Sequence, residues 1–252
     1  MSSMSPVNVQ HSRNATGTYF DYIDAAALRN MAMTAGVDLP CYLLAPEISL
    51  LLSYLPDLRQ RLLIETLWNT GARINEALAL TPSDFHLENG IRPFVVLRTL
   101  KQRTRGKGRP KKEEALKRIV PLLDALFVQR LGEYFATVRP NKYDPLWAVA
   151  SDETPRNWLK AAIDRARRDA VTFSFEQITP KTFRHSYAMH LIQSHIPLKV
   201  VQAYMGHKEL SSTEVYTRIF ALDVGANYGV CFSLPVDQAT HLLSTSCTAY
   251  LR

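Results

Sequence analysis

Five residue types recur at spacings that could hold and attack an anionic group. Lys181 and Arg184 stand three apart, which puts them on one face of a helix. Gly206–His207 places an imidazole just after a helix end, and Tyr216 follows nine residues later. Far upstream, Arg73 follows Gly71 at a helix junction, with Glu76 three residues on. A guanidinium forks around paired oxygens, an imidazole donates or carries a proton, and a phenol can form a covalent intermediate. Each feature alone has an ordinary reading. A tyrosine at helical spacing is usually core, a histidine after glycine usually caps or faces water, and a helix-start arginine usually pairs with a carboxylate such as Glu76.

These residues fall at the ends of elements that the sequence pattern predicts. Asp21 to Gly36 reads as a short helix around Ala25–Leu28 and Met31. Pro46 and Glu47 suit a first helical turn, followed by Ile48, Leu51, Leu52 and Leu55. Another helix begins at Pro56–Asp57, buries Leu62, Leu63, Thr66 and Leu67, and ends at Gly71. Arg73 to Leu80 reads as a further, shorter one, stopped by Thr81–Pro82. Phe94–Leu100 and Ile119–Leu122 are β-prone, joined by a long basic connection. Leu122–Val138 is helical again. Thr154–Pro155 reads as an N-cap with proline at the first helical position, opening a helix to about Ala170; Thr179–Pro180 repeats this before a helix to about Ser194. There Phe183, Tyr187 and Leu191 form a core-facing stripe. Pro197 to Met205 is another helix, closed by Gly206, and Ser211 with Glu214 reads as a capping box before a helix through Tyr216. The fold class is mainly α with a small antiparallel β-sheet (α+β).

Composition narrows the setting. The chain has 252 residues, 46% hydrophobic and 21% charged, ordinary values for a globular domain. No apolar run is long enough for a transmembrane helix, and the polar start is unlike a secretory signal. Cys41, Cys231 and Cys247 are too scattered for a disulfide scaffold or a metal-ligand pair. The net charge is +7. Arg98 to Arg118 alone carries ten basic and two acidic residues. This stretch, and a second cluster at Arg156, Lys160, Arg165, Arg167 and Arg168, are suited to a phosphate backbone or, equally, to a solvated face.

In combination the stretches TGARINEALAL, TPKTFRHSYAMHL and MGHKELSSTEVYTRI resemble the three defining boxes of the tyrosine recombinase (phage-integrase) family, in order and over roughly residues 43–220. The resemblance implies a tyrosine recombinase-type catalytic domain that breaks and rejoins double-stranded DNA. Arg73 matches the first arginine and Arg184 the second. Lys181 stands where most members have histidine. His207 matches the last histidine and Tyr216 the nucleophile. Lys101, at the end of FVVLRTLK, matches the lysine that the family carries on a β-hairpin; Lys107, within GKG, is the alternative. The chemistry fits these roles. Two guanidiniums and His207 would hold the non-bridging oxygens of a phosphodiester. Tyr216 would take the strand as a 3′-phosphotyrosine, and Lys101 would protonate the leaving 5′ oxygen. Arg98, Arg103, Arg105, Lys107, Arg109, Lys111 and Lys112 would lie along the DNA backbone. No cofactor or metal is expected, since no Walker-type loop or His/Cys set appears. The family implies a homo-oligomer, a tetramer assembled on DNA, in the bacterial cytoplasm on nucleoid or plasmid DNA.

The sequence departs from the family in its ends. Residues 1–42 read as only a short arm, with an expected mobile tail over 1–20, where most members carry a DNA-clamping domain. A one-domain grip or a partner would have to close the clamp. Residues 221–252 read as a C-terminal tail, expected to pack on its own domain or on a neighbouring protomer. Two other functions fit part of the pattern: a type IB topoisomerase-like enzyme, and a non-catalytic DNA-binding protein on a recombinase scaffold.

Overall fold

The computed structural model describes residues 22–88, 92–99, 116–207, 209–218 and 235–238. The expected tail over 1–20 and most of the segment 221–252 lie outside these residues.

The described core is helical around two central helices. Helix α1 spans Tyr22–Thr34, α2 Ala45–Ser53, α3 Leu58–Thr70 and α4 Ile74–Leu78. After the sheet come α5 Ala125–Val138, α6 Glu153–Arg168, α7 Pro180–Gln193, α8 Leu198–Met205 and the short α9 Ser211–Glu214. Helix α3 packs on α7. Their buried stripes are Leu62, Leu63, Ile64 and Leu67 on one side and Phe183, Tyr187, Ala188 and Leu191 on the other. Burying each large apolar side chain contributes about 1.5–3 kcal/mol, so this seam fixes both helices firmly.

Caps set the ends. Asp57 accepts from the Gln60 N–H at 2.9 Å to open α3, and Asp124 does the same for Leu126 at 2.9 Å in α5. Gly71 closes α3 in the left-handed region at φ +59°, where a Cβ would collide with the Tyr187 ring.

Two helix starts and one buried face differ from the sequence pattern. Helix α6 opens at Glu153, so Thr154 sits inside its first turn rather than capping it. Pro155 is accommodated there because first-turn N–H groups need no intrahelical partner. Ser211 lies within α9, whose cap is Leu210, and Tyr216 sits past its end. In α1 the buried residues are Ala25, Arg29 and Ala32, while Met31 is 51% exposed.

The sheet has three antiparallel strands in the order β1 (Phe85–His86), β2 (Phe94–Arg98) and β3 (Lys117–Pro121). Val95 faces Val120 and Leu97 faces Arg118 across β2 and β3. Directly opposed residues share a sheet face. Val95, Leu97 and Val120 are fully buried, so the Arg118 side chain enters the interior beside them, while Ile119 is 62% exposed. The two-residue β1 was not predicted.

Candidate functional site

Arg184 is the meeting point. The hydroxyl of Thr182 accepts from the Thr179 N–H at 3.1 Å and fixes the first turn of α7. With Phe183 buried next to it, Arg184 is drawn inward and is 7% exposed. Its Nη1 donates to the Gly71 carbonyl, and its Nη2 donates to the Met205 carbonyl at 2.6 Å. Those carbonyls lie at the ends of α3 and α8, two residues before Arg73 and two before His207. One guanidinium therefore brings all three sequence boxes together. Burial, then the charges of Arg73 and Arg118, lower Arg184 to about 10, which still leaves it cationic at neutral pH.

Glu76 organises the arginine side of the site. Its Oε2 accepts from the Arg73 N–H at 2.9 Å, and its Oε1 from Arg73 Nη1 at 2.9 Å. Arg118 adds Nη1 at 3.0 Å and Nη2 at 2.5 Å to the same two oxygens. Burial alone would raise the Glu76 carboxyl; hydrogen bonds and charge from Arg118, and then from Arg73, outweigh it and lower the value. Arg118 also donates from Nε to the Tyr204 carbonyl at 2.9 Å. It runs beneath Gly206, where an added Cβ would lie 3.0 Å from its Cδ. Arg118 is thus an interior strut, which corrects its expected place on the DNA-facing charge of the hairpin. Arg73 is the outward member, with its side chain 45% exposed.

His207 follows Gly206, the left-handed end of α8 at φ +62°. Its Nδ1 shares a hydrogen bond with Thr213 Oγ1 at 2.8 Å. Burial, then the charges of Arg184, Arg73 and Arg118, lower it to about 4, so the ring is neutral near pH 7. Tyr216 is 2% exposed, and its hydroxyl lies 2.8 Å from His185 Nδ1. Burial raises the Tyr216 phenol to about 12, against the opposing charge of Arg184. Lys181 is exposed in the first turn of α7, one turn before His185.

Arg98 ends β2, and its Nη2 is paired with Asp84 at 2.6 Å, leaving the side chain 47% exposed. In the second basic cluster, Arg165 is tied to the Tyr54 carbonyl at 2.9 Å and Arg156 to Asp152 at 3.1 Å. Lys101, Arg103, Arg105, Lys107, Arg109, Lys111 and Lys112 lie outside the described residues. Among the described residues, no group of His, Cys, Asp and Glu could hold a metal ion, and no helix is long and apolar enough to cross a membrane.

Sequence reasoning missed Arg118 and His185. For Arg118 the signal was strand alternation, because Val120 and residue 118 must share a face. For His185 it was helical spacing, because residue 185 lies one turn after Lys181.

The Phage integrase family model matches residues 42–222. The chain belongs to this family. A relative from Escherichia coli, "Resolvase", is 49% identical over 255 residues, covering 94% of this chain and 96% of that protein. Another from Escherichia coli, "Probable site-specific recombinase in afa region", is 49% identical and covers 89% of each chain. Among solved structures, XerH site-specific recombinase bound to difH substrate, in a pre-cleavage complex, is 26% identical with a TM-score of 0.55. That match covers 75% of this chain and 53% of XerH, so the chain spans about half the length of that structure. The tyrosine recombinase fold expected from the boxes, helices with a small antiparallel sheet, is the fold of these phage-integrase-family neighbours.

Proposed function

We propose that this chain is a site-specific DNA recombinase that cleaves and rejoins double-stranded DNA through a 3′-phosphotyrosine intermediate. The observation that carries the reading is the convergence on Arg184, whose hydrogen bonds join the segments of Arg73 and His207 while its neighbour His185 holds the Tyr216 hydroxyl. The similarity to a resolvase and to a probable site-specific recombinase supports it. In this reading Arg73 and Arg184 grip the non-bridging oxygens. Arg184 keeps donors beyond the two spent on carbonyls, because a guanidinium has five N–H groups. His207, neutral with Nδ1 turned to Thr213, presents Nε2–H to the same oxygens. Lys181 adds positive charge in the first turn of α7. Tyr216 forms the covalent bond, and Lys101 protonates the departing 5′ oxygen. The basic connection between β2 and β3 runs along the DNA backbone. Residues 43–220 act as the catalytic domain, with 1–42 as an arm and 221–252 as a tail, in a tetramer assembled on DNA in the bacterial cytoplasm.

The test is covalent trapping. A duplex is selected by the protein from a randomised pool, nicked to prevent religation, and incubated with wild type and Tyr216→Phe. Wild type forms a protein–DNA adduct, while Tyr216→Phe binds the duplex and forms none. Absence of an adduct with wild type overturns the recombinase chemistry, and an adduct with Tyr216→Phe overturns the choice of nucleophile.

A further inference from the structure

A phenol that attacks phosphorus must give up its proton, and at about 12 the Tyr216 hydroxyl holds it firmly at neutral pH. Most groups expected around the phosphate cannot take it. Cationic arginine and lysine carry donors and no acceptor. His207 has its Nδ1 engaged with Thr213. His185, which the family boxes do not assign, already holds the hydroxyl through Nδ1 at 2.8 Å.

We propose that His185 is a catalytic residue of this chain, accepting the Tyr216 proton at Nδ1 as the phenolic oxygen attacks the phosphorus. The inference rests on the reading of Tyr216 as nucleophile. The bond from Tyr216 Oη to phosphorus forms, and the bond from phosphorus to the 5′ oxygen breaks. The Tyr216 proton ends on His185, and the 5′ oxygen takes its proton from a separate acid. On religation the 5′ hydroxyl attacks and gives its proton back to that acid, while the imidazolium returns its proton to the departing Tyr216 oxygen, so no co-reactant is consumed.

The surroundings suit this role. Helix α7 sets His185 next to Arg184 and one turn after Lys181, so the acceptor and the phosphate grip share one rigid element. The two rings lie 5.7 Å apart, tilted by 56°. Burial, then the charges of Lys181 and Arg184, lower His185 to about 4, so the ring is neutral near pH 7, and its Nε2–H tautomer accepts at Nδ1. The same charges oppose the imidazolium in the free protein, and the anionic phosphate gripped by Arg184 offsets them when DNA is bound. The geometry also admits a competing role. Because Tyr216 is 2% exposed, His185 could serve as a latch that restrains the nucleophile before DNA arrives. The two roles predict opposite signs.

The experiment measures single-turnover adduct formation on the selected nicked duplex for wild type, His185→Ala, His185→Asn and Tyr216→Phe, with DNA binding measured in parallel. His185→Ala is expected to slow the adduct about a hundredfold or more with binding retained, as for loss of a proton-transfer group. Free imidazole should restore part of that rate. His185→Asn keeps a hydrogen-bond acceptor but cannot hold a proton, so it should stay slow. Wild-type rate in His185→Asn overturns the proposal, as does a rate at or above wild type in His185→Ala, the result a latch would give. Failure of imidazole to rescue a folded, DNA-binding His185→Ala also overturns it. Where His185→Ala does not fold, His185→Asn decides alone. An adduct in Tyr216→Phe would instead sink the nucleophile assignment, independently of His185.

Discussion

Glu47 and Glu76 occupy matching positions in their helices and serve different ends. Each lies in a first turn and accepts the backbone N–H three residues before it, from Leu44 at 2.8 Å and from Arg73 at 2.9 Å. Each grips an arginine turned inward, Arg29 at 2.7 Å and Arg118 at 2.5 Å. At Glu47 the remaining partner is the Ser174 hydroxyl, and Arg29 is closed in by the rings of Tyr42 and Phe175. That cluster stitches α1 and α2 to the segment before α7 and leaves its only cation, Arg29, 3% exposed. At Glu76 the remaining partner is a second cation, Arg73, whose side chain stays 45% exposed. The same local device thus closes one part of the chain and presents positive charge in another. What differs is the neutral or charged third partner.

The largest expected effect tests whether that difference matters. Removing either carboxylate leaves a buried guanidinium without its counter-charge, at about 3–5 kcal/mol of stability. Glu47→Ala and Glu76→Ala should therefore fall alike in chemical denaturation. Adduct formation per folded molecule should part them. It should drop about a hundredfold in Glu76→Ala, since misplacing a reacting group by about 1 Å has that scale, and stay at wild type in Glu47→Ala. Equal cleavage in the two variants would erase the contrast.

An intermediate effect lies in acid. Arg29 and Arg118 outweigh burial and lower Glu47 and Glu76 respectively. Carboxyls lowered on folding contribute fully above their unfolded value of about 4.3, and the contribution drains away as pH falls through the lower folded values. Denaturation midpoints should therefore fall as pH drops below about 4.3, with a shallower fall in Glu47→Gln and in Glu76→Gln. Glu65 works the other way. Burial outweighs Arg130 and raises its carboxyl, so its protonation offsets part of the acid loss. A fall as steep in both Gln variants as in wild type would remove the two carboxyls from the account.

The smallest effect sharpens the closed side. Ser174→Ala deletes one hydrogen bond to Glu47 and one from Arg29, and should cost about 1 kcal/mol with cleavage unchanged. A cleavage defect there would mean that the stitch reaches the site.

The legible parts of the sequence were those set within a few residues. Asp57, Gly71 and Thr179–Pro180 marked helix ends because caps act over one turn. Phe183, Tyr187 and Leu191 marked the core face of α7 because helical spacing is local. The pairing of Arg73 with Glu76 was legible for the same reason. Arg118 was not. Its partners Glu76 and Tyr204 are 42 and 86 residues away, and only the register of β3 turns it inward. That register also leaves Ile119 outside, the reverse of what hydrophobicity suggests. His185 was hidden because its partner is 31 residues away on another segment. Thr154 misled because Asp152 and Glu153 just before it can equally open a helix.

The reach of Arg184 also fixes when this protein can exist as a working molecule. Its two carbonyl partners lie 113 residues before it and 21 residues after it. Contacts at such separations form after local helices in folding, because the loops between them must close first. A chain emerging from synthesis at about 5–20 residues per second can build α3 early, but Arg184 has no second partner until Met205 is out. The order of events runs from helix, to seam, to site, and the chemistry of the site waits for nearly the whole described chain.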